Sequence, residues 1–473
     1  MQTHAVSSGL ALILGLGASG LAAARHLALR GWKIRAADTR TSPAGADVLK
    51  DEMPDADIHT GGLPLCLLDG VSLLVMSPGL SPEFGEAAPL VREARARQID
   101  VAGEIELFAR SLNTLKAQQG YNPTVIGITG TNGKTTTTTL VARMAQAGGK
   151  KTVAAGNIGP NAVTELDKAL ASGDLPEVWV LELSSFQLAT TSSLFCHAAA
   201  VLNVTEDHLD WHGGMSAYTE AKARIFKPGT IRVVNRDDPL TEAMKDVRGY
   251  TFGGSVPQHD REYGLRTEGR RMMLALGTRS LFPEQDLLIA GRHNTMNALA
   301  ALALIRGAGL SEEGALQALR VYAGEAHRVE RVLETDGVLF VDDSKGTNVG
   351  AVAAAVKGFS AQGRRILILL GGDGKGQDFN PLAQALSGVA GAIALIGMDA
   401  DRIGSAVCSV GVPTVKHKTL EDAVDWLWTQ HRPGDVLLLS PACASWDMFK
   451  NYAERSARFI ECAHRIAKGS DAC

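Results

Sequence analysis

The stretch TVIGITGTNGKTTTTTL, Thr124–Leu140, decides how the rest of the chain is read. An apolar run, Thr124–Ile128, leads into Gly130, Thr131, Asn132, Gly133, Lys134, Thr135 and Thr136, and a helix is expected to follow. A strand, a glycine turn and a helix in that order make a phosphate cradle. Backbone N–H groups at the helix N-terminus face an anion, a lysine reaches the β- and γ-phosphates, and the next hydroxyl can ligate Mg²⁺. The register departs from the usual pattern, which puts a glycine five residues before Gly133; that residue is Ile128, and the glycine is Gly127. Taken alone, the loop leaves an ATP site and a chance match both open.

Outward from the loop, apolar runs alternate with helical stretches. Strands are expected at Leu10–Leu14, Lys33–Ala37 and Val71–Gly79 before it, and at Val178–Leu183 and Ala198–Val204 after it. Further strands are expected at Val338–Val341, Arg365–Leu370, Ala392–Ile396 and Asp435–Leu439, and helices at Leu21–Arg30 and Asn294–Gly309. Such alternation predicts an α/β protein of doubly wound parallel sheets. A chain of 473 residues exceeds one compact core. Three domains are expected: Rossmann-like over 1–117, a P-loop-type ATPase over 118–324, and Rossmann-like over 325–473, with the polar stretch Lys116–Pro123 as a linker.

The formal charge of −4 offers no electrostatic attraction for nucleic acid or an anionic membrane. Six cysteines without a CxxC pair point to reduced thiols in a cytoplasm. The first residues lack a basic segment and read as leading into a buried strand, not a signal peptide. A soluble cytoplasmic protein, monomeric by default, is the expectation.

A second glycine loop, Gly15–Gly20, fits GxGxxG after the first strand, and Asp38 ends the next strand. These features alone allow a dinucleotide-dependent oxidoreductase. The underlying physics admits any nucleotide diphosphate, because the glycines let amides approach the phosphates. Glu182 follows a strand where a second Mg²⁺ ligand belongs, although a buried hydrogen-bonded carboxylate would look the same. His208 and Lys222 stand after the next strand; by themselves they read as a structural histidine and a surface lysine. Two glycine loops with these residues at successive strand ends suggest a site between domains, one loop for a nucleotide substrate and one for ATP.

The motifs GTNGKTTT, LELSSFQL, NVTEDHLD, GRHNTMNALAA, HRVE, DDSKGTN, GGDGKGQDF and SPACASWDMF, in this order along nearly the whole chain, resemble the Mur ligase family. In that family the phosphate loop is itself GTNGKT, so the displaced glycine is the family form. The closest branch adds D-glutamate to UDP-N-acetylmuramoyl-L-alanine in cytoplasmic peptidoglycan precursor synthesis. The resemblance implies that Ser19, Asp38, Thr39, Arg40, Ser77 and Gly79 hold the uridine diphosphate, and that Asn157 contacts the same substrate. It implies Lys134, Thr135 and Thr136 on the ATP phosphates, Asn294 and Asn297 at the adenine nucleotide, Arg328 at the γ-phosphate and Asp343 at the ribose. Thr135 and Glu182 would bind one Mg²⁺, with His208 and a carbamylated Lys222 serving a second. Lys345, Thr347, Lys375, Ser445 and Tyr452 would surround D-glutamate. Tyr452 stands where the family has Phe, and the His208–Lys222 spacing is one residue shorter than the familiar form. Amide synthesis would run through an acyl phosphate, with Lys134 and Arg328 neutralising the approach of two anions.

Other ligases of the superfamily are the near alternatives. A folylpolyglutamate synthetase would lack the UDP-type first domain, and the diamino-acid-adding branch carries a DNPR motif absent here. An NAD-dependent oxidoreductase, or a non-catalytic ATP binder, would leave most of the motifs without a role.

Overall fold

The structure is a computed structural model that describes residues 9–289, 291–324, 327–374 and 376–470. It contains three mainly parallel sheets. The first holds β1 (Leu10–Leu14), β2 (Lys33–Asp38), β3 (Asp57–Thr60), β4 (Val71–Met76) and β5 (Asp100–Gly103), in the order β3-β2-β1-β4-β5. The second runs β14-β13-β12-β11-β10-β9-β6-β8-β7. Its strands are β6 (Thr124–Thr129), β7 (Thr152–Gly156), β8 (Val178–Glu182), β9 (Ala198–Val201), β10 (Ile231–Asn235), β11 (Tyr250–Phe252), β12 (Glu262–Glu268), β13 (Arg271–Leu276) and β14 (Arg279–Pro283). The third, in the order β15-β16-β20-β17-β18-β19, holds β15 (Glu330–Thr335), β16 (Val338–Asp342), β17 (Ile366–Gly371), β18 (Ala390–Ile396), β19 (Thr414–Lys416) and β20 (Val436–Leu439).

The central strands are buried along their whole length, as in β8 (VWVLE) and β17 (ILILLG). Helices on both faces demand that continuous apolar run. The chain folds into two compact units. One holds the chain up to Val204, His208–Phe282 and Ala298–Leu319; the other holds Thr205–Asp207, Pro283–Asn297 and the chain from Arg320 onward. Among the described residues no helix is long and apolar enough to cross a membrane.

The expected linker is largely absent. Helix Glu104–Gln119 continues through Lys116–Gln119 and stops at Gly120, whose φ of +69° suits a glycine cap. Lys and Gln are good helix formers, and buried Leu112 and Leu115 carry the apolar face into that last turn. The helix is instead a splint inside the first unit. Glu104 Oε1 accepts the Val163 N–H at 2.8 Å, and Glu106 Oε2 accepts the Ser192 and Ser193 N–H groups at 2.7 and 2.9 Å. Next to it, His26 bridges Asp167 and Ser111, each at 2.9 Å.

The sheets are not wholly parallel. β12 pairs antiparallel with β13, and β15 with β16. The β12–β13 turn is Gly269-Arg270, with Gly269 at φ +60°; β12 (EYGLRTE) is too polar to stand out as an apolar run, and β13 (RMMLAL) buries only its second half.

Candidate active site

Strand register assembles the phosphate loop. Ile128 of β6 pairs with Glu182 of β8, and Gly156 of β7 pairs with Glu182 from the other side. The acid therefore ends its strand level with the start of the loop. Gly130 and Gly133 hold φ values of +153° and +82°, which a side chain would oppose. Helix Lys134–Ala147 starts from Gly133 without a side-chain cap. Lys134 Nζ folds back to donate to the Gly130 and Thr131 carbonyls, both at 2.9 Å. Thr135 and Thr136 are buried beside it.

Asn203, which carries no motif role inside NVTEDHLD, clamps this loop. Its Oδ1 accepts the Asn132 N–H at 2.8 Å, and its amide donates to the Asn132 carbonyl at 3.0 Å. Glu182 Oε1 accepts from the Asn157 amide at 2.7 Å, whereas Oε2 is buried without a hydrogen-bond partner among the described residues. A buried, unmatched carboxylate oxygen at the end of the strand paired with the one that enters the phosphate loop is a donor that a hard divalent cation takes. The expected Mg²⁺ pair, Thr135 and Glu182, thus fits the chemistry.

Lys222 is no surface lysine. It is 1% exposed on helix Met215–Ala223, with Nζ 4.3 Å from the Tyr218 ring centroid. The Tyr218 hydroxyl in turn lies 3.1 Å from Thr131 Oγ1, so tyrosine joins the lysine's helix to the loop. His208 takes a left-handed backbone (φ +56°) and packs edge-on against Phe186, 4.7 Å between ring centroids. His212 lies between the two: burial first, then Lys222 and His208, push its pKa down to about 4. Its Nε2 meets Ser185 Oγ at 2.9 Å. Neither Tyr218 nor His212 carries a sequence signal distinguishing it from a core aromatic.

Around the first glycine loop, β1, β2 and β4 end in register, Leu14 opposite Ala37 and Met76. Their following loops therefore share the carboxyl edge of the sheet and bring together Ser19, Asp38, Thr39, Arg40, Ser77 and Gly79. Gly20 is obligatory, because a Cβ there would lie 1.9 Å from the Gly15 carbonyl oxygen. Asp38 Oδ2 accepts the Leu16 N–H at 2.8 Å, and both its oxygens receive the Arg40 guanidinium at 2.7 and 2.8 Å. Arg40 foremost holds the Asp38 carboxyl down at about 2. Asp38 thus orders the glycine loop and holds Arg40 beside it. Ser19 Oγ accepts from the Asn161 amide at 3.3 Å, four residues after Asn157. This short path leads from the first glycine loop towards Glu182.

In the second unit, the loops after β16, β17 and β20 share one edge, with Asp342 opposite Leu439. Asp343 accepts from Ser440 Oγ at 2.7 Å, and burial raises its pKa to about 7. Lys345 Nζ lies 4.8 Å from the Tyr452 ring centroid, and Ser344 Oγ donates to the Tyr452 carbonyl at 2.8 Å. Thr347 N–H donates to the Lys345 carbonyl at 2.9 Å. Ser445 is 3% exposed, its carbonyl accepting the Phe449 N–H at 2.8 Å. Arg455, which no sequence motif marks, is fully buried; it donates to the Ser344 carbonyl at 2.8 Å and the Cys443 carbonyl at 3.2 Å, tying two of these loops together. Arg328 lies between His327 and Val329, which adopt φ values of +66° and +50°. A β-branched residue there is strained, and such strain collects at functional sites. Asn297 donates to Asn294 Oδ1 at 3.2 Å within helix Arg292–Gly307. Lys375 lies outside the described residues.

A glycine loop at a helix N-terminus, with lysine, threonine and an acid on the neighbouring strand, defines a P-loop-type nucleotide-binding protein. Residues 10–103 match the family described as Mur ligase MurD-like, N-terminal domain. Residues 128–305 match the Mur ligase middle domain, and 327–443 the Mur ligase glutamate ligase domain. The chain belongs to the Mur ligase family. It is 47% identical to UDP-N-acetylmuramoylalanine--D-glutamate ligase of Ralstonia nicotianae, covering 98% of each chain. It is 46% identical to the protein of the same name from Cupriavidus pinatubonensis, covering 96% of this chain and 97% of that one. The fold is also that of UDP-N-acetylmuramate-alanine ligase from Thermotoga maritima, with a TM-score of 0.59 at 19% identity, over 97% of this chain and 99% of that one.

Proposed function

We propose that this Mur ligase joins D-glutamate to UDP-N-acetylmuramoyl-L-alanine, consuming ATP and releasing ADP and phosphate. The observation that carries the reading is the 47% identity, running end to end, with a relative of that name. The proposed setting is cytoplasmic peptidoglycan precursor synthesis by a monomer whose domains divide near residues 117 and 324.

A carboxylate is a poor electrophile, so it is activated first. An oxygen of the L-alanine carboxylate attacks the γ-phosphorus, the bond to the bridging oxygen breaks, and ADP leaves an acyl phosphate. The free amine of D-glutamate then attacks the acyl carbon, expels phosphate and loses a proton. In this reading Lys134 turns from its own loop carbonyls to the ATP phosphates, and Thr136 adds a hydroxyl. Arg328 binds the γ-phosphate, Asp343 the ribose, and Asn294 and Asn297 the adenine nucleotide. The first glycine loop, with Asp38, Thr39, Arg40, Ser77 and Gly79, holds the uridine diphosphate. Lys345, Thr347, Lys375, Ser445 and Tyr452 orient the two carboxylates of D-glutamate.

Thr135 and Glu182 would hold one Mg²⁺, and His208 with Lys222 a second. Bound Mg²⁺ supplies charge neutralisation for the approach of carboxylate to triphosphate. A plain ammonium would repel a cation, so Lys222 is proposed to act as a carbamate. Its neutral amine adds to CO₂, forming an N–C bond and losing a proton, and so presents anionic oxygens that a hard cation accepts. The burial of Lys222 beside Tyr218 supports this role over that of a solvated lysine.

Phosphate release from ATP in the presence of UDP-N-acetylmuramoyl-L-alanine, scanned over amino acids, tests the assignment. D-glutamate should support turnover and L-glutamate should not. Equal turnover with L-alanine or a diamino acid would overturn the substrate while leaving the family unchanged.

A further inference from the structure

Helix Ala162–Ser172 opens at Asn161, a residue type whose side-chain oxygen ordinarily accepts the amide of the second or third helical residue. That cap bond is not made here, although the Asn161 backbone is extended as a cap requires (φ −61°, ψ 141°). A residue from another helix supplies it instead. Glu104 Oε1 accepts the Val163 N–H, the second of the helix, at 2.8 Å, and the Ala162 amide hydrogen-bonds the same carboxyl. Relieved of its cap bond, the Asn161 side chain turns away from its own helix and donates to Ser19 Oγ at 3.3 Å.

Ser19 is the second residue of helix Ala18–Ala28, which has no side-chain cap at Gly17 and no acid in its first turn. The first amides of such a helix favour an anion. Gly17 and Ala18 are exposed and Ser19 is half-buried, so a ligand in front of the helix can reach the hydroxyl. Farther along, His26 Nδ1 and the Arg30 guanidinium meet Asp167, each at 2.9 Å. Contacts at both ends make the two helices run the same way, side by side, with their N-termini together. The clamp at Asp167 sets their spacing, so Asn161 does not have to hold them. At 3.3 Å its bond to Ser19 is long for an amide donor and adds little to stability. What it fixes is direction.

A serine hydroxyl whose oxygen accepts an amide N–H keeps its own proton to give, and an unheld hydroxyl rotates freely. Among the described residues Ser19 makes no other side-chain hydrogen bond. We propose that Asn161 is a positioning residue of the nucleotide-diphosphate site: its amide holds the Ser19 hydroxyl so that the proton faces the diphosphate. Glu104, by capping the helix in its place, frees Asn161 to do so. The inference rests on the proposed assignment of the first glycine loop to uridine diphosphate, and it adds a residue from outside that loop.

Calorimetry of the full chain with UDP-N-acetylmuramoyl-L-alanine tests this on Asn161→Ala, Asn161→Asp, Ser19→Ala and the double variant of Asn161→Ala with Ser19→Ala. Asn161→Ala and Ser19→Ala should each weaken binding about fivefold, the scale of one hydrogen bond. The double variant should bind no more weakly than Ser19→Ala, because Asn161 acts through Ser19. Aspartate caps a helix as well as asparagine does but cannot donate. Asn161→Asp should therefore keep the wild-type urea midpoint and still lose at least about fivefold in affinity. Wild-type affinity in Asn161→Ala or Asn161→Asp, or losses that add in the double variant, overturn the role of Asn161 and leave the loop's assignment standing. A wild-type chain that does not bind the UDP-sugar overturns that assignment, and this inference with it.

Discussion

Glu104→Gln tests how the two sheets of the first unit are joined. Glu104 is 2% exposed, with Oε1 accepting the Val163 N–H at the start of helix Ala162–Ser172 and Oε2 buried and unmatched among the described residues. Burial, opposed in part by the Val163 and Ala162 amides, raises its pKa from 4.5 to about 7. Below pH 4.5 both folded and unfolded chains hold the proton, and the group has no effect on stability. Between 4.5 and 7 only the folded chain keeps it, so stability falls as pH rises, and the full loss is reached once the folded group ionises. At 1.36 kcal/mol per pH unit the loss reaches about 3 kcal/mol above pH 7. Glutamine retains the carbonyl acceptor and cannot ionise. Its amide nitrogen, unmatched where Oε2 was, costs the same at every pH and drops out of the comparison. Relative to wild type, Glu104→Gln should therefore gain about 2.5 kcal/mol between about pH 5 and pH 8. Urea unfolding followed by the fluorescence of buried Trp179 reports on this unit. A wild-type-to-variant difference that changes by less than about 0.5 kcal/mol across that range would refute the reasoning.

Lys134→Ala removes the ammonium now held by the Gly130 and Thr131 carbonyls. Phosphate release should fall by at least about 100-fold, with calorimetric affinity for UDP-N-acetylmuramoyl-L-alanine nearly unchanged. Lys222→Ala should cost a similar factor, and formate or acetate at high concentration should restore part of the rate by replacing the carbamate oxygens; full activity without them would sink the carbamate. Arg455→Lys cannot span Ser344 and Cys443 as the guanidinium does. It should destabilise the second unit by about 2 kcal/mol and raise KM for D-glutamate more than it lowers kcat, as steady-state kinetics would show.

Much of the candidate site was legible because its residues fall at strand ends. A buried parallel strand reads as an apolar run, and the residues at or just past its end face the carboxyl edge, so Lys134, Glu182 and Asp38 could be named from spacing, whereas Asp343 came only with the family resemblance. The same logic located β1, β2 and β4 of the first sheet, β6, β8 and β9 of the second, and β16, β17, β18 and β20 of the third within a few residues. It did not pick out β3, β5, β7, β10–β15 or β19, most of them short, half exposed or at a sheet edge, and it misplaced the linker, because nothing in KAQQ says whether a helix stops before it. Long-range partners were invisible for a different reason. Asn203 lies 71 residues from the Asn132 it clamps, and Arg455 lies 111 from the Ser344 it holds. Sequence by itself determined which segments become strands and which loops carry phosphate chemistry, since backbone periodicity and glycine geometry are local. Only the tertiary structure decided that Lys222 is buried against Tyr218, that Asp38 is bound to Arg40 and that Glu182 keeps one unmatched oxygen. Burial and charge pairing depend on what the rest of the chain brings alongside.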